Sequence, residues 1–224
     1  MPSWDEIFKE KTFFPTYPQS EVFKFVERLE STFQTKPLNI WDHCCGTGRN
    51  SIAIADMGHR IYSSDISPNG INNLEALKGK NEYWYHTALC DMTVNPWQNT
   101  EFHGVICWDA IHHNTLTNIQ TAVDTIYDSL MDGGLFMASL LSTKSGHHNK
   151  GKQIEPNTFV NNEGLESGIP HHYFDEAEIR SLFRQWKFCI LSEVVVNYIE
   201  TEFEFYKNNP FPYTKWNILV LKKS

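Results

Sequence analysis

The stretch from Leu38 to Asp65 constrains this chain more than any other, because it holds a strand, a glycine turn, a helix and a second strand that ends in an acid. The apolar run Leu38-Asn39-Ile40-Trp41 closes on Asp42-His43-Cys44-Cys45-Gly46-Thr47-Gly48, and Ser51 to Met57 has helical composition. Glycine lets the backbone turn sharply and approach a ligand with no side chain in the way. Asp65 closes the strand Arg60-Ile61-Tyr62-Ser63-Ser64 and stands 17 positions beyond Gly48. That is close to the ~20-residue offset at which an acid reaches the hydroxyls of a ribose. Two strands, one helix and a carboxylate therefore frame one nucleoside.

Charge distinguishes between the nucleosides such a crossover can hold. A dinucleotide pyrophosphate is doubly negative and wants bare amides at a helix N-terminus, whereas Asp42 sits just before the turn and repels it. S-adenosylmethionine carries an ammonium and a sulfonium, which an acid at this point attracts. Ser51 also stands where a dinucleotide turn has Gly or Ala for close packing of helix on strand. A methyl donor is favoured, and a nicotinamide-dependent oxidoreductase is the enzyme alternative.

With 224 residues, 41% of them hydrophobic, the chain can bury one sizeable core, and a single α/β domain spanning 1–224 is the simplest partition. A formal net charge of -8 argues against a surface that tracks phosphates, so nucleic acid is not an expected partner. No run approaches ~20 apolar residues, and Trp4-Asp5-Glu6 does not read as a signal peptide, so a membrane is not expected either and the protein reads as cytoplasmic. Five cysteines, with Cys44 and Cys45 adjacent, read as reduced thiols.

Along the chain, strands and helices alternate as in a parallel sheet. Ser3 and Glu6 make a capping box for a helix from Trp4 to Lys11, and Ser20 opens a second helix with Val22, Phe23, Val26, Leu29 and Phe33 as its apolar stripe. Residues 1–36 are read as an N-terminal helical cap, with Trp4, Phe14 and Tyr17 available to close over a ligand. Ser67-Pro68 starts a helix ending near Gly79, a third strand runs from Tyr83 to Leu89, and a fourth from Gly104 to Trp108. Both strands end in polar residues, Cys90-Asp91-Met92 and Asp109-Ala110-Ile111-His112-His113, where open sheets hold ligands. A helix over Asn118 to Met131 stops at Asp132-Gly133-Gly134 before a fifth strand, Leu135 to Leu141. Residues 142–172 show little periodicity and are too long for a plain connector, so they read as a lid or substrate loop. Asp175 and Glu178 cap a helix, and Phe188 to Phe205 and Trp216 to Leu221 are β-rich.

As a set, these residues resemble the class I S-adenosylmethionine-dependent methyltransferases. Asp42 to Gly48 resembles the acidic strand end and glycine loop of that family, Asp65 its ribose-binding acid, and Asp91-Met92 its adenine position. Phe102 to His113 resembles its fourth strand, and Leu130 to Gly134 the leucine and double-glycine turn before strand five. Within the family, Trp4-Asp5-Glu6-Ile7, Ile154 to Val160 and Gly168 to Phe174 resemble the small tellurite-resistance-like methyltransferases. The resemblance implies a single Rossmann-like, doubly wound seven-stranded sheet with helices on both faces and Trp216 to Leu221 as its antiparallel last strand. It implies S-adenosyl-L-methionine as cofactor and transfer of methyl to a small-molecule acceptor, a thiol or other chalcogen nucleophile, by a monomer or homodimer. Cys44 departs from the family by replacing the first glycine of the loop. A β-region cysteine is sterically acceptable there, with its bulk narrowing the methionine pocket.

The cofactor contacts this implies are Asp42, Cys44, Cys45, Gly46, Gly48, Asn50, Asp65, Ile66, Asp91, Met92 and Trp108. Catalytic candidates are His112, His113 and His172, because an imidazole with a pKa near ~6.5 accepts a proton from an oxygen or thiol at neutral pH. His171 shares that reading, and Asp109 beside Trp108 should face the methyl. Three vicinal histidine pairs raise the question of metal, but no HxxxH or CxxC spacing accompanies them and no metal site is expected. Cys44 and Cys45 are either thiols of lowered pKa at a helix N-terminus or small packing groups. A nucleic-acid amino-methyltransferase is disfavoured because Trp108-Asp109-Ala110-Ile111 does not match its Asn/Asp-Pro-Pro-aromatic motif. A non-catalytic binding protein on the same fold is the remaining alternative.

Overall fold

The computed structural model describes residues 3–9, 17–78, 85–196 and 213–223. Phe14, the helix end near Gly79, the start of the third strand at Tyr83 and the stretch 197–212 lie outside the described residues. Five strands, β1 (Asn39–His43), β2 (Arg60–Asp65), β3 (Tyr85–Leu89), β4 (Phe102–Cys107) and β5 (Leu130–Ser142), form a parallel sheet in the order β3-β2-β1-β4-β5. Of the remaining strands, β6 (Lys152–Glu155), β7 (Thr158–Val160) and β8 (Pro170–Phe174) precede β9 (Trp186–Val196) and β10 (Tyr213–Lys222). Strand β10 lies antiparallel between β5 and β9. These seven strands reproduce the doubly wound sheet with a reversed last strand that the family resemblance implies.

The sheet does not stop at seven. At the end of β5, Leu141 and Ser142 pair in parallel with Tyr173 and Phe174 of β8, and β7 and β6 add to β8 as an antiparallel meander. The stretch read as a loop therefore carries three further strands. Sequence periodicity missed them because β6 exposes Lys152, Gln153 and Ile154, and β7 is only three residues long, with Thr158 and Phe159 buried. Neither shows the alternation by which strands are recognised.

Strand alternation divides the core between the two faces of the sheet. Trp41, Val105 and Phe136 pack with Ile119, Val123 and Ile126 of α5 (Leu116–Ser129) on one face. Ile40, Ile61 and Ile106 pack with α2 (Ser20–Phe33) on the other. The buried stripe of α2 is Val22, Phe25, Val26 and Leu29, whereas Phe23, expected in it, is 42% exposed. Positions 22, 25, 26 and 29 follow the helical period, and residue 23 is turned about 100° from the first of them. At the N-terminus, Ser3 and Glu6 close the expected capping box on α1 (Trp4–Lys9). Among the described residues no helix is long and apolar enough to cross a membrane.

The first crossover is clipped by three buried side chains. Ser51, on α3 (Arg49–Asp56), donates to Asp42 Oδ2 at 2.5 Å, and Ser63 of β2 donates to Ser51 Oγ at 2.8 Å. The serine that stands in place of a packing glycine thus bonds the helix to the ends of both strands. Burial pushes the Asp42 carboxyl up to about 7, although the Ser51 bond and Arg49 pull it down. Gly48 caps α3 with φ +84, and a Cβ there would overlap the Leu74 side chain of α4 (Pro68–Lys78).

Gly48→Ala should therefore cost about 1–2 kcal/mol in left-handed backbone and a further ~1–3 kcal/mol in overpacking against Leu74, read as a lower urea midpoint at unchanged m-value. Because folding raises the Asp42 pKa, the folded state favours the protonated acid. Its linked stability is complete in acid and drains away as pH rises from about 4 towards about 7. The stability of the native chain relative to Asp42→Asn should fall across that window. A difference independent of pH would show that Asp42 ionises in the folded state as it does in the unfolded chain.

Candidate active site

The carboxyl ends of β1, β2 and β4 lie side by side in the parallel sheet. Asp65 holds the loop after β1: its Oδ2 accepts the Gly46 N–H at 2.8 Å and its Oδ1 accepts the Ser67 N–H at 2.8 Å. Each carboxylate oxygen keeps a second lone pair for a ligand hydroxyl. Burial raises the Asp65 pKa and the two backbone bonds oppose that rise. Ile66, next in the chain, presents a side chain that is 53% exposed, an apolar surface beside a polar anchor.

Helix α1 docks over this loop. Asp5 Oδ1 accepts from the Asn69 N–H at 2.7 Å and from Ser67 Oγ at 2.9 Å, which ties α1 to the start of α4. Phe8 lies against Gly46, and Trp4 packs edge-on to His113 with ring centroids 4.8 Å apart. Of the aromatic residues read as closing over a ligand, Trp4 packs against His113, while Tyr17 is 83% exposed.

Two expectations for the loop need correction. Cys44 adopts φ +57, a left-handed conformation and not a β one, so it takes up the turn that glycine makes elsewhere. Its thiol faces Cys107 and packs against the core, which directs its bulk inward. The Cys107 contact and burial raise the Cys44 thiol well above its usual range, and burial does the same for Cys45. Neither is an activated thiol, since desolvation outweighs any help from the helix N-terminus.

Other expected contacts are more spread out. Asn50 is buried and its Oδ1 accepts the Gln19 N–H at 3.2 Å, joining α3 to the lead-in of α2. Asp91 is exposed, and its Oδ1 accepts from Thr93 N at 2.9 Å and Thr93 Oγ1 at 2.7 Å, an Asx turn that shapes the end of β3. Met92 is partly buried, with Asn114 Nδ2 3.6 Å from its sulfur. Trp108 is 6% exposed within the core, and its buried Nε1 has no partner.

At the end of β4, Asp109 adopts φ +53 and binds a polar cluster. Its N–H donates to Ser139 Oγ at 2.7 Å, Ser139 Oγ lies 2.7 Å from Oδ1, and Lys215 Nζ donates to Oδ1 at 2.9 Å. Arg49 lies 3.8 Å from Oδ2. Burial would raise the Asp109 carboxyl, but Lys215, Ser139 and Arg49 outweigh it and hold it below its ordinary value. Lys215 also stacks over the Trp108 ring at 5.0 Å.

The histidines divide into two groups. His112 is 1% exposed with Nδ1 3.4 Å from the Ser139 carbonyl, and burial drives its pKa down to about 3. Burial also takes His113 well below the usual imidazole range. Both are neutral at pH 7, and such weak bases accept protons poorly there, contrary to the role expected from an unperturbed imidazole. His172 is fully buried with Nδ1 2.6 Å from Thr158 Oγ1 and Nε2 3.1 Å from Glu178 Oε2. Both of its nitrogens are committed within the protein. Because neighbouring strand residues point to opposite faces, it is His171 that meets His113, with ring centroids 4.6 Å apart.

Sequence reasoning missed Glu166, Ser139, Arg49 and Lys215. A lone lysine entering the apolar run Trp216 to Leu221 was a usable signal for Lys215, whereas nothing in Asn161-Asn162-Glu163-Gly164-Leu165-Glu166 marks the last acid.

Comparison with known proteins agrees with this geometry. Residues 40–134 match the family model described as "Methyltransferase domain". No curated protein sequence matches the chain. TehB from Haemophilus influenzae superposes with a TM-score of 0.67 at 16% identity, covering 98% of this chain and 66% of that one, so this chain spans slightly less than two thirds of TehB. A protein from Methanosarcina mazei described as an S-adenosylmethionine-dependent methyltransferase gives 0.69 at 14% identity, over 86% and 96% of the two chains. The 1,6-didemethyltoxoflavin-N1-methyltransferase of Burkholderia thailandensis, solved with 1,6-didemethyltoxoflavin and S-adenosylhomocysteine, gives 0.63 at 15% identity, over 92% and 79%. Residues 40–134 thus match a methyltransferase domain model, and the chain has the fold of the S-adenosylmethionine-dependent methyltransferases on which it superposes.

Proposed function

We propose that this methyltransferase moves the methyl group of S-adenosylmethionine to a small-molecule acceptor held between the end of β4 and the strands β6 to β8. The observation that carries the reading is the Asp65 carboxylate, which pins the Gly46 amide from below and retains lone pairs for a diol. Exposed Ile66 offers an adenine-sized apolar surface next to it. The buried, partnerless Trp108 Nε1, on the segment that follows β4, adds a polar group that a ligand completes. The small acceptor is supported by the net charge of -8, which suits no polyanion, and by the 1,6-didemethyltoxoflavin bound to the Burkholderia neighbour.

When bound, the donor supplies an electrophilic methyl on a sulfonium, and displacement on it is in line. What the chain adds is alignment and exclusion of water. Gly46 and Gly48 give the loop its close approach, Asp65 would hold the ribose, and Asp91 and Met92 would flank the adenine. Helix α1, through Trp4 and Phe8, closes the crevice. Buried Asp42 shapes the loop through Ser51, which donates to its Oδ2. Residues 142–172 make one wall of the acceptor side, and a cytoplasmic setting fits the free cysteines.

Calorimetric titration should give saturable binding of S-adenosylmethionine, and Asp65→Ala should weaken it by about 10-fold or more, the scale of two lost hydrogen bonds. Binding of a pyridine dinucleotide in place of the methyl donor would refute the reading. His112→Ala should lower kcat without moving the pH of its half-maximum, because the imidazole carries no proton at neutral pH. A shift of that midpoint would restore His112 as a titrating base.

A further inference from the structure

The acceptor side of the crevice holds a donor set that no sequence spacing announces. Strand β8 is drawn to the loop after β4 by the His172 N–H, which donates to the His112 carbonyl at 2.9 Å. The preceding turn, closed by the Ile169 N–H donating to the Glu166 carbonyl at 3.1 Å, brings Glu166 alongside. As a result one nitrogen each of His113 and His171 and one carboxylate oxygen of Glu166 all lie within 4.8 Å of one another.

The hydrogen bonding inside this cluster is incomplete in an informative way. His171 Nδ1 is 3.0 Å from the Ile169 carbonyl, which can only accept, so Nδ1 carries the ring proton. In the neutral ring Nε2 is then a bare lone pair, yet it sits 2.7 Å from Glu166 Oε2, another acceptor. Two lone pairs facing each other at that distance require a positive centre between or beside them, either a proton or a metal ion. His113 supplies the independent observation: its Nδ1 is buried and has no hydrogen-bond partner. A protonated His171 accounts for the Glu166 contact and leaves His113 Nδ1 unsatisfied. A metal ion that draws the three donors together from their separation of up to 4.8 Å would take the Glu166 oxygen, His171 Nε2 and one nitrogen of His113.

We propose that His113, Glu166 and His171 bind a divalent transition-metal ion, with zinc as the ion their chemistry suits best. Two imidazoles and one carboxylate are a ligand set for zinc and its first-row neighbours, whereas magnesium and calcium take oxygen-rich sites. The His171 Nδ1–H bond to a backbone carbonyl is the outer-sphere support that a ligating histidine characteristically has. Three protein ligands leave a fourth position open, as in zinc sites that handle substrates. Asp109 is near enough to act electrostatically on both His113 and Glu166 and adds negative charge, while Lys215 acts on His112 and opposes it.

The use of the open position rests on the methyl-transfer reading. A thiol or hydroxyl acceptor bound there loses its proton to solvent, since a bound cation lowers the pKa of its ligand. Its lone pair then forms the new bond to the methyl carbon. The old carbon–sulfur bond breaks with its electron pair going to sulfur, leaving a neutral thioether. This gives the acceptor a route to its anionic form that needs no histidine base.

The test is titration of full-length, chelator-stripped protein with Zn²⁺ by calorimetry and with Co²⁺ by visible absorption. One ion per chain should bind, with the intense d–d bands of a low-coordinate cobalt site. Glu166→Gln, which keeps the shape and the bond to His171, and His113→Ala should each weaken Co²⁺ binding by about 100-fold or more, beyond the ~10–100-fold of an outer-sphere loss. Glu178→Gln, at the neighbouring His172 pair, should leave the spectrum as it is. Absence of saturable binding, or binding that survives both Glu166→Gln and His113→Ala, overturns the proposal and leaves an ion pair only. Should those variants fail to fold, paramagnetically shifted ring protons of His113 and His171 in the Co²⁺-loaded native chain replace them, and their absence counts against the site. Titration of the stripped protein with S-adenosylmethionine separates the two readings: donor binding without metal binding sinks this site alone, and metal binding without donor binding sinks the methyl-transfer role.

Discussion

Two parallel strands ending side by side do not make a binding site unless something holds the loop of one against the end of the other, and here the Asp65 carboxylate does so. By accepting the Gly46 and Ser67 amides it fixes the loop after β1 and the start of α4 in one frame. The same Ser67 also bonds Asp5, so the covering helix α1 takes its position from that frame. The cost of burying the acid, visible in its raised pKa, is offset by backbone donors and not by a cationic partner. A carboxylate held by amides keeps lone pairs available, which one locked to arginine would not.

The second organising feature is the polar cluster around Asp109. The left-handed turn there is held by Ser139 and Lys215, which come from β5 and β10. The reversed last strand therefore does more than complete the sheet, because it delivers a buried lysine to the end of β4. This cluster orders the chain just before the two adjacent histidines. Their environment is then dry enough that they stay neutral. Desolvation, and not their sequence neighbourhood, removes them as proton acceptors.

Residues 142–172 carry strands β6 and β7 and the start of β8, and their construction explains why the side-chain cluster they bring to the end of β4 was hidden. Strands β6 to β8 are short and pair over few residues, so their register is set by the end of β5 and by the bond from His172 to His112. Alternation along β8 then sends His171 to the crevice and His172 into the protein. Sequence reading took His172 as the catalytic histidine of the pair, because without a register either one can face the site.

The sequence by itself determined the crossover from Leu38 to Asp65, the β-rich run Trp216 to Leu221 and the capping of α1 and α6 (Glu176–Leu182) by Ser3 and Asp175, while the reversed direction of the last strand came with the family resemblance. Each of these depends on residues within about 20 positions of one another or on apolar runs with a clear period. Only the tertiary structure decided the turn at Cys44, the neutrality of His112 and His113, the fate of His172 and the meeting of His113 with Glu166 and His171. Those properties depend on solvent exclusion and on a strand register fixed by distant pairing. Spacing rules for metal ligands cannot register donors that lie more than 50 residues apart in the chain and meet only when β8 closes on the end of β5.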